Sequence, residues 1–313
     1  MTFPVFDLHC DTANELISLG DGENSDLKSN KAHIDLDRAS QLPGYAQCFA
    51  CFTTTGTKRN PVDIFEKKMM AILKEIDKNK KMIRQAFSAR DIEKNREEGI
   101  MSAILTIEGP AGFGFDPELL EDLYKIGFRV SSLGWNEKNP LTGSHVTGGG
   151  LTDQGRAYVK EMQRLGMIVD VSHISDEGFW DIVDISEKPI VATHSNSRDI
   201  FNASRNLTDD MFRAICNSGG VAGINLYPDF LGEKANLDTI CDHIFHFLEM
   251  DPEAKHISLG GDLDGVDYLP EDFSGIQDYP KLSDRLLERG ISEEMVYNIF
   301  WKNAVGVFQE CCI

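Results

Sequence analysis

The chain has 313 residues, a formal net charge of −20 and 41% hydrophobic residues. That apolar fraction is ample for a large core, and no run approaches the roughly 18 apolar residues of a membrane span. The acidic balance argues against a nucleic-acid groove or an anionic membrane surface as partner.

Short β-rich apolar runs alternate with helical patterns along the whole length. A strand is expected over residues 4–7, a second over 47–53, then a long helix over 62–87. Strand 101–107, helix 117–126, strand 129–133, helix 153–165 and strand 167–171 follow. The second half gives strand 190–193, helix 209–217, strand 221–225, helix 237–248, strand 257–260 and a final helix over 293–309. Thr152, Ser175, Thr208 and Ser292 sit where N-caps belong, and Gly166 and Gly219 stand at helix ends where a left-handed residue is favoured. Eight strands alternating with helices predict a single (β/α)8 TIM barrel over residues 1–313, with a doubly wound open sheet as the competing outcome.

Residues 1–8 carry no Lys or Arg and too short an apolar stretch for a secretory leader. The seven cysteines are odd in number and irregular in spacing, which suits a reducing compartment, so a cytoplasmic location is expected. Cys48 and Cys51 lie in a run that reads as a buried strand, where their spacing turns them to opposite faces. Cys311 and Cys312 read as loose terminal thiols.

Ionisable residues gather at the C-terminal ends of the expected strands: His9 and Asp11 after the first, then Glu108, His173, His194 and Asp262. A barrel brings these positions to one rim, the face on which active sites are built. Any one of them alone reads as an ordinary hydrogen-bonded or solvated residue; their repetition at corresponding positions points to a site. His-x-Asp on extended backbone puts His9 and Asp11 on one face, with Cys10 packed behind. Asp7 shares the parity of His9 and Asp11 but is read outside the ligand set. Carboxylates mixed with imidazoles suit zinc or a similar first-row dication rather than calcium. Five ligands suffice for two ions if one carboxylate bridges, with a water or hydroxide between them. Asp262 is then left over as general base and acid.

The motifs DLHCDT, TIEGP, GLTDQG, DVSH, THSNSR, ASRN and GGDLDGV occur in this order between Phe6 and Phe308. With them the chain resembles the M19 family of metallopeptidases, the renal or membrane dipeptidases, within the amidohydrolase-like metal-dependent hydrolases. The resemblance implies a zinc-dependent dipeptidase, with dipeptides bearing a D-configured C-terminal residue among its candidate substrates. It implies that His9 and Asp11 bind one zinc, that His173 and His194 bind the other, and that Glu108 bridges the two Zn2+. It implies that Asp262 is the general base and acid, that Asp264 supports the turn, and that Arg205 grips the dipeptide's terminal carboxylate. Read from the chain alone, Arg205 is equally a surface cation. Oligomeric state stays open, a homodimer among the options.

One position departs from the family pattern. Many members carry a histidine after the fourth strand, where this chain has Trp135, whose indole N–H donates one hydrogen bond but carries no charge. Trp135 reads as a wall of the substrate pocket, and His145 is either the substitute imidazole or an ordinary loop residue. His243 and His246, having no acidic partner at ligand spacing, read as structural, and His33, in a polar loop, and His256, at a strand entry, are unremarkable. The alternatives are a metal hydrolase acting on a lactone, amide or phosphoester, and a non-catalytic metal-binding barrel.

Overall fold

In the computed structural model, which describes residues 2–18 and 26–312, the apolar runs pair as parallel strands. They are β1 (Val5–Cys10), β2 (Tyr45–Phe52), β3 (Ile83–Gln85), β4 (Met101–Glu108), β5 (Phe128–Ser132), β6 (Ile168–Asp170), β7 (Ile190–Val191), β8 (Ala222–Ile224) and β9 (Ile257–Leu259). The pairing order is β7-β6-β5-β4-β2-β1-β9-β8, with β3 set beside the first residues of β4. The ring closes between β7 and β8, where Ala192 N–H donates to Val221 (3.0 Å) and Gly223 N–H donates to Ala192 (2.8 Å). Apart from β3, and from β1 and β9 where the first strand meets the last, neighbours in the ring are consecutive in the chain. This is the expected barrel.

Alternation along each strand divides the core into two layers. Phe6, Ala46, Cys48, Ile104, Val130, Ile168 and Val191 pack in the lumen, near the strands' N-terminal ends, against Trp301 and Phe308 of the last helical segment. Cys51, Leu105, Val169 and Ile190 face outward to the surrounding helices. Cys48 and Cys51 thus lie on opposite faces of β2. Cys311 and Cys312 are not loose: both are buried with the lumen layer, and burial pushes their thiols up to about 11 and about 12.

The expected caps form. The side chains of Thr152, Ser175, Thr208 and Ser292 accept from the backbone N–H groups of Gly155, Gly178, Met211 and Met295. Gly166 (φ 83°) and Gly219 (φ 80°) close their helices in the left-handed conformation that L side chains disfavour.

The helix expected over 62–87 is a correction. It runs only over Pro61–Lys78, because Asn79 turns its amide back on the Glu75 carbonyl and ends it. Ile83 keeps the apolar period but belongs to β3, and a further helix follows at Ala89–Glu97. The Ser175 cap opens a helix at Asp176–Ile185, and a helix at Tyr279–Glu288 adds to those expected. The last helix continues past 309 to Cys311, with a π-helical turn at Asn298–Lys302. Among the described residues no helix is long and apolar enough to cross a membrane.

Candidate metal centre

Construction of the site begins with an irregularity in β1. Asp7 pairs with Gln47 and Cys10 with Phe49, so three steps along β1 match two along β2. The extra residue is a bulge, which re-aims side chains. Ahead of it Phe6 and Leu8 face the lumen, while Asp7 turns outward to accept the Tyr279 hydroxyl and the N–H groups of His9 and Gly261. Beyond it His9 is inside and Cys10 packs in the outer layer. Asp7 therefore does not share a face with His9, contrary to the parity of a regular strand, and lies outside the cluster as expected. Along β4, Ala103, Leu105 and Ile107 pack in the outer layer, while Ile104 packs in the lumen and Glu108 ends the strand at the rim.

The residues singled out in the sequence meet there. His9 Nε2 lies 3.4 Å from Asp11 Oδ2, 3.4 Å from Glu108 Oε2 and 3.8 Å from Asp262 Oδ1. His173 Nε2 lies 2.9 Å from Glu108 Oε1 and 2.9 Å from His194 Nε2. Glu108 thus presents one oxygen to His9 and the other to His173. The His9 and His194 rings stack with centroids 3.8 Å apart. All six residues are buried or nearly so.

Two of the rings have an oxygen partner on the nitrogen that faces away from the cluster. Thr193 Oγ1 donates its single hydrogen to Asp170 Oδ2 (2.6 Å), so at 2.8 Å it accepts Nδ1–H from His194. Asn136 Oδ1, an acceptor only, lies 2.9 Å from His173 Nδ1. With those protons on Nδ1, the two neutral rings turn lone pairs at Nε2 toward each other, and His173 turns its own toward Glu108 Oε1 as well, an arrangement that a cation would relieve. His9 Nε2 is buried with no hydrogen-bond partner. An orphaned imidazole nitrogen, two facing lone pairs and three carboxylates form a donor set that fits cations, and Asp170, Thr193 and Asn136 are the outer partners that metal-binding histidines use.

The titration tendencies show a pocket that favours positive charge at His9, beside the carboxylates, and disfavours it at His173 and His194. Burial opposes a charge on His9, but Glu108, Asp11 and Asp262 outweigh it and raise its pKa well above 6.5. Burial raises the Glu108 carboxyl, but His9 and His173 outweigh it and hold the pKa low. His173 is pushed down to about 4 by burial and by Arg205, and His194 well below its usual value by burial, His9 and Arg205. Burial lifts Asp262 to about 6, with His9 pulling down and Asp11 and Glu108 pushing up. Asp262 Oδ2 accepts from Asn225 Nδ2 at 3.1 Å, which leaves Oδ1 toward His9.

His173 (φ 69°), Asp262 (φ 55°) and Asp264 (φ 66°) all occupy left-handed backbone, a strain that concentrates at functional sites. Asp264 ties the turn after β9 to Thr12 Oγ1 (2.6 Å) and to His33 N–H (2.5 Å), a structural task.

Arg205 is buried rather than a surface cation. Its Nη atoms donate to Ser195 Oγ and the His194 carbonyl, both at 3.2 Å, while Nε is buried without a partner. Trp135 is half-buried, its ring edge-on to Phe52 at 5.0 Å and 6.3 Å from His173. His145 spends both ring nitrogens, Nε2 on Asn136 Oδ1 and Nδ1 on Ser204 Oγ, each at 2.8 Å. It therefore offers no free N–H as a substitute imidazole. His243 is structural, as expected: Nδ1 accepts Ser197 N–H (3.1 Å) and Nε2 donates to the Leu231 carbonyl (3.0 Å). His246 does have an acidic partner, Asp209, 2.7 Å away and supplied by another helix.

Asp170, Thr193, Asn136 and Asn225 are the participants that sequence reasoning missed. Three of them end or follow barrel strands. A search for any polar residue at a strand's C-terminal end, rather than for metal ligands alone, finds Asp170, Thr193 and Asn225.

A model of the family described as membrane dipeptidase (peptidase family M19) matches residues 1–312. An uncharacterized protein from the pqqA 5′ region of Klebsiella pneumoniae is 33% identical over 264 residues, covering 80% of this chain and 97% of that protein. An uncharacterized dipeptidase of Schizosaccharomyces pombe is 34% identical over 216 residues, 67% of this chain and 53% of that protein. The chain thus spans about half the length of that relative. A metallo peptidase from Rhodobacter sphaeroides, solved with a phosphinate mimic of the dipeptide L-Ala-D-Ala, superposes with a TM-score of 0.91 at 25% identity, over 99% of this chain and 100% of that one. The dipeptidase AC, described as a metallo peptidase of family M19, also gives 0.91, at 26% identity over 100% and 99% of the two chains. With its barrel and its rim of imidazoles and carboxylates, and with a family match over nearly its whole length, the chain belongs to the membrane dipeptidase family, peptidase family M19.

Proposed function

We propose that the chain is a binuclear zinc dipeptidase. His9 and Asp11 would hold one zinc, His173 and His194 the other, and Glu108 would bridge the two. The observation that carries this reading is the division of Glu108, with Oε2 toward His9 and Oε1 toward His173. Bound there, the ions supply Lewis acidity toward a carbonyl oxygen and a nucleophilic water at neutral pH.

The chain's own residues do the rest. Asp262, with Oδ2 held by Asn225, keeps Oδ1 free to take a proton from the attacking water and return it to the departing amine. The buried Arg205 has an unspent Nε–H and suits a terminal carboxylate, which guanidinium geometry recognises through paired bonds. Trp135, edge-on to Phe52 and 6.3 Å from His173, would wall the substrate on that side. Such an arrangement measures length, because a longer peptide has no carboxylate at the distance of Arg205.

The likeness to the Rhodobacter sphaeroides peptidase bound to an L-Ala-D-Ala mimic makes an L-D dipeptide a rational first substrate beside L-L ones. Zinc-loaded protein is expected to release free amino acids from members of an L-L and L-D dipeptide panel, and a chelator is expected to stop the release. Inactivity on the whole panel would remove this reading.

A further inference from the structure

We propose that Asn136 and His145 are positioning residues that hold His173 with its proton on Nδ1 and its Nε2 free for a cation; this rests on the two-zinc reading above. The loop that carries them runs alongside the His173 segment: His145 N–H donates to the His173 carbonyl at 2.9 Å, and Ser144 bridges antiparallel to Ile174. The same loop returns a side chain to His173. Asn136 Oδ1 lies 2.9 Å from His173 Nδ1 and 2.8 Å from His145 Nε2.

An amide oxygen only accepts, so both imidazoles present N–H groups to this one atom. His145, with its single proton spent there, accepts at Nδ1 from Ser204 Oγ, 2.8 Å away and next to Arg205 in the chain. With the amide oxygen toward both rings, the row from Ser204 through His145 and Asn136 to His173 runs in one direction.

The second donor has a purpose. An Asn amide can turn over, and a flipped Asn136 would aim Nδ2–H at His173 Nδ1. The ring proton would then move to Nε2, the atom that faces Glu108 and His194 at 2.9 Å. A cation at His173 Nε2 keeps the ring proton on Nδ1 and so selects the orientation of Asn136 with Oδ1 toward the ring, to which His145 Nε2–H adds a second bond.

The test is zinc affinity of chelator-stripped full-length protein, measured by competition with a chromophoric chelator. Asn136→Leu is expected to weaken one of the two zinc equivalents by about 10–100-fold, the range for losing an outer partner of a ligand histidine, and to leave the other unchanged. Asn136→Asp, which still accepts two bonds, is expected to restore it. His145→Leu should weaken the same equivalent by a smaller factor, and His145→Gln, which keeps a donor and an acceptor, should recover it. If Asn136→Leu does not fold, as judged by its melting curve, the His145 pair decides.

Leucine variants that bind both equivalents as tightly as wild type would overturn the proposal, as would failure of Asp or Gln to recover the loss. A wild-type chain that binds no zinc is a different result. It would overturn the two-zinc reading, and this proposal with it.

Discussion

His173 and His194 face each other through their Nε2 atoms at 2.9 Å, and each ring has an oxygen partner at its opposite nitrogen, Asn136 Oδ1 for His173 and Thr193 Oγ1 for His194. Two lone pairs at that distance repel unless a cation relieves them. The fold maintains the arrangement from behind, through Asn136 on one ring and the Thr193–Asp170 pair on the other.

Thr193 is the most direct handle on that backing. Thr193→Val preserves the shape but leaves His194 Nδ1–H and Asp170 Oδ2 without this partner. An unsatisfied buried polar group costs about 1–3 kcal/mol, so denaturant unfolding of metal-free protein should show a loss in that range. Thr193→Ser, which keeps the hydroxyl, should lose much less. Equal stability of the Val and Ser variants would contradict the hydrogen-bond assignment.

Arg205→Ala should raise KM for dipeptides by about 10–100-fold, the equivalent of a charge-assisted bond worth about 1.5–3 kcal/mol. The effect on kcat should be smaller, because the contact exists in both ground and transition states. Steady-state kinetics check this, and unchanged dipeptide kinetics would contradict the role.

Asp262→Asn keeps a similar shape and removes the proton carrier. The expected result is a fall in kcat of about 10²–10⁴-fold with both zinc equivalents still bound. A variant that retains wild-type kcat would show that the proton moves by another route.

The sequence made the barrel and the centre of the site legible because both depend on local pattern. Apolar runs marked eight strands, and His9, Glu108 and His173 stood out as costly residues at their ends. The bulge in β1 left no such mark, since it is a matter of pairing with β2, and the expected parity of Asp7 failed for that reason. The helix Pro61–Lys78 seemed longer than it is because Ile83 continues its apolar period while belonging to a strand. Arg205 was legible only through family resemblance, because its burial depends on how the 195–207 loop folds back over His194. Asn136 owes its role to two histidines at separations of 9 and 37 residues, which no local pattern encodes.

His243 gives a prediction about stability and pH that is independent of metal. Burial holds its pKa below 6.5, and its Nδ1 must stay unprotonated to accept from Ser197. The unfolded chain takes up this proton near pH 6.5 and the folded chain only at lower pH, so stability is lost as pH falls below 6.5. His243→Gln does not titrate. Its stability relative to wild type should therefore be constant above neutrality and improve steadily on acidification. Unfolding curves whose difference does not change with pH would contradict the assignment.

The most direct measurement is stepwise return of zinc to chelator-stripped protein while dipeptide hydrolysis is followed. Activity should be negligible without metal and reach its plateau at two equivalents per chain. A plateau at one equivalent, or no hydrolysis at any loading, would contradict a paired centre bridged by Glu108.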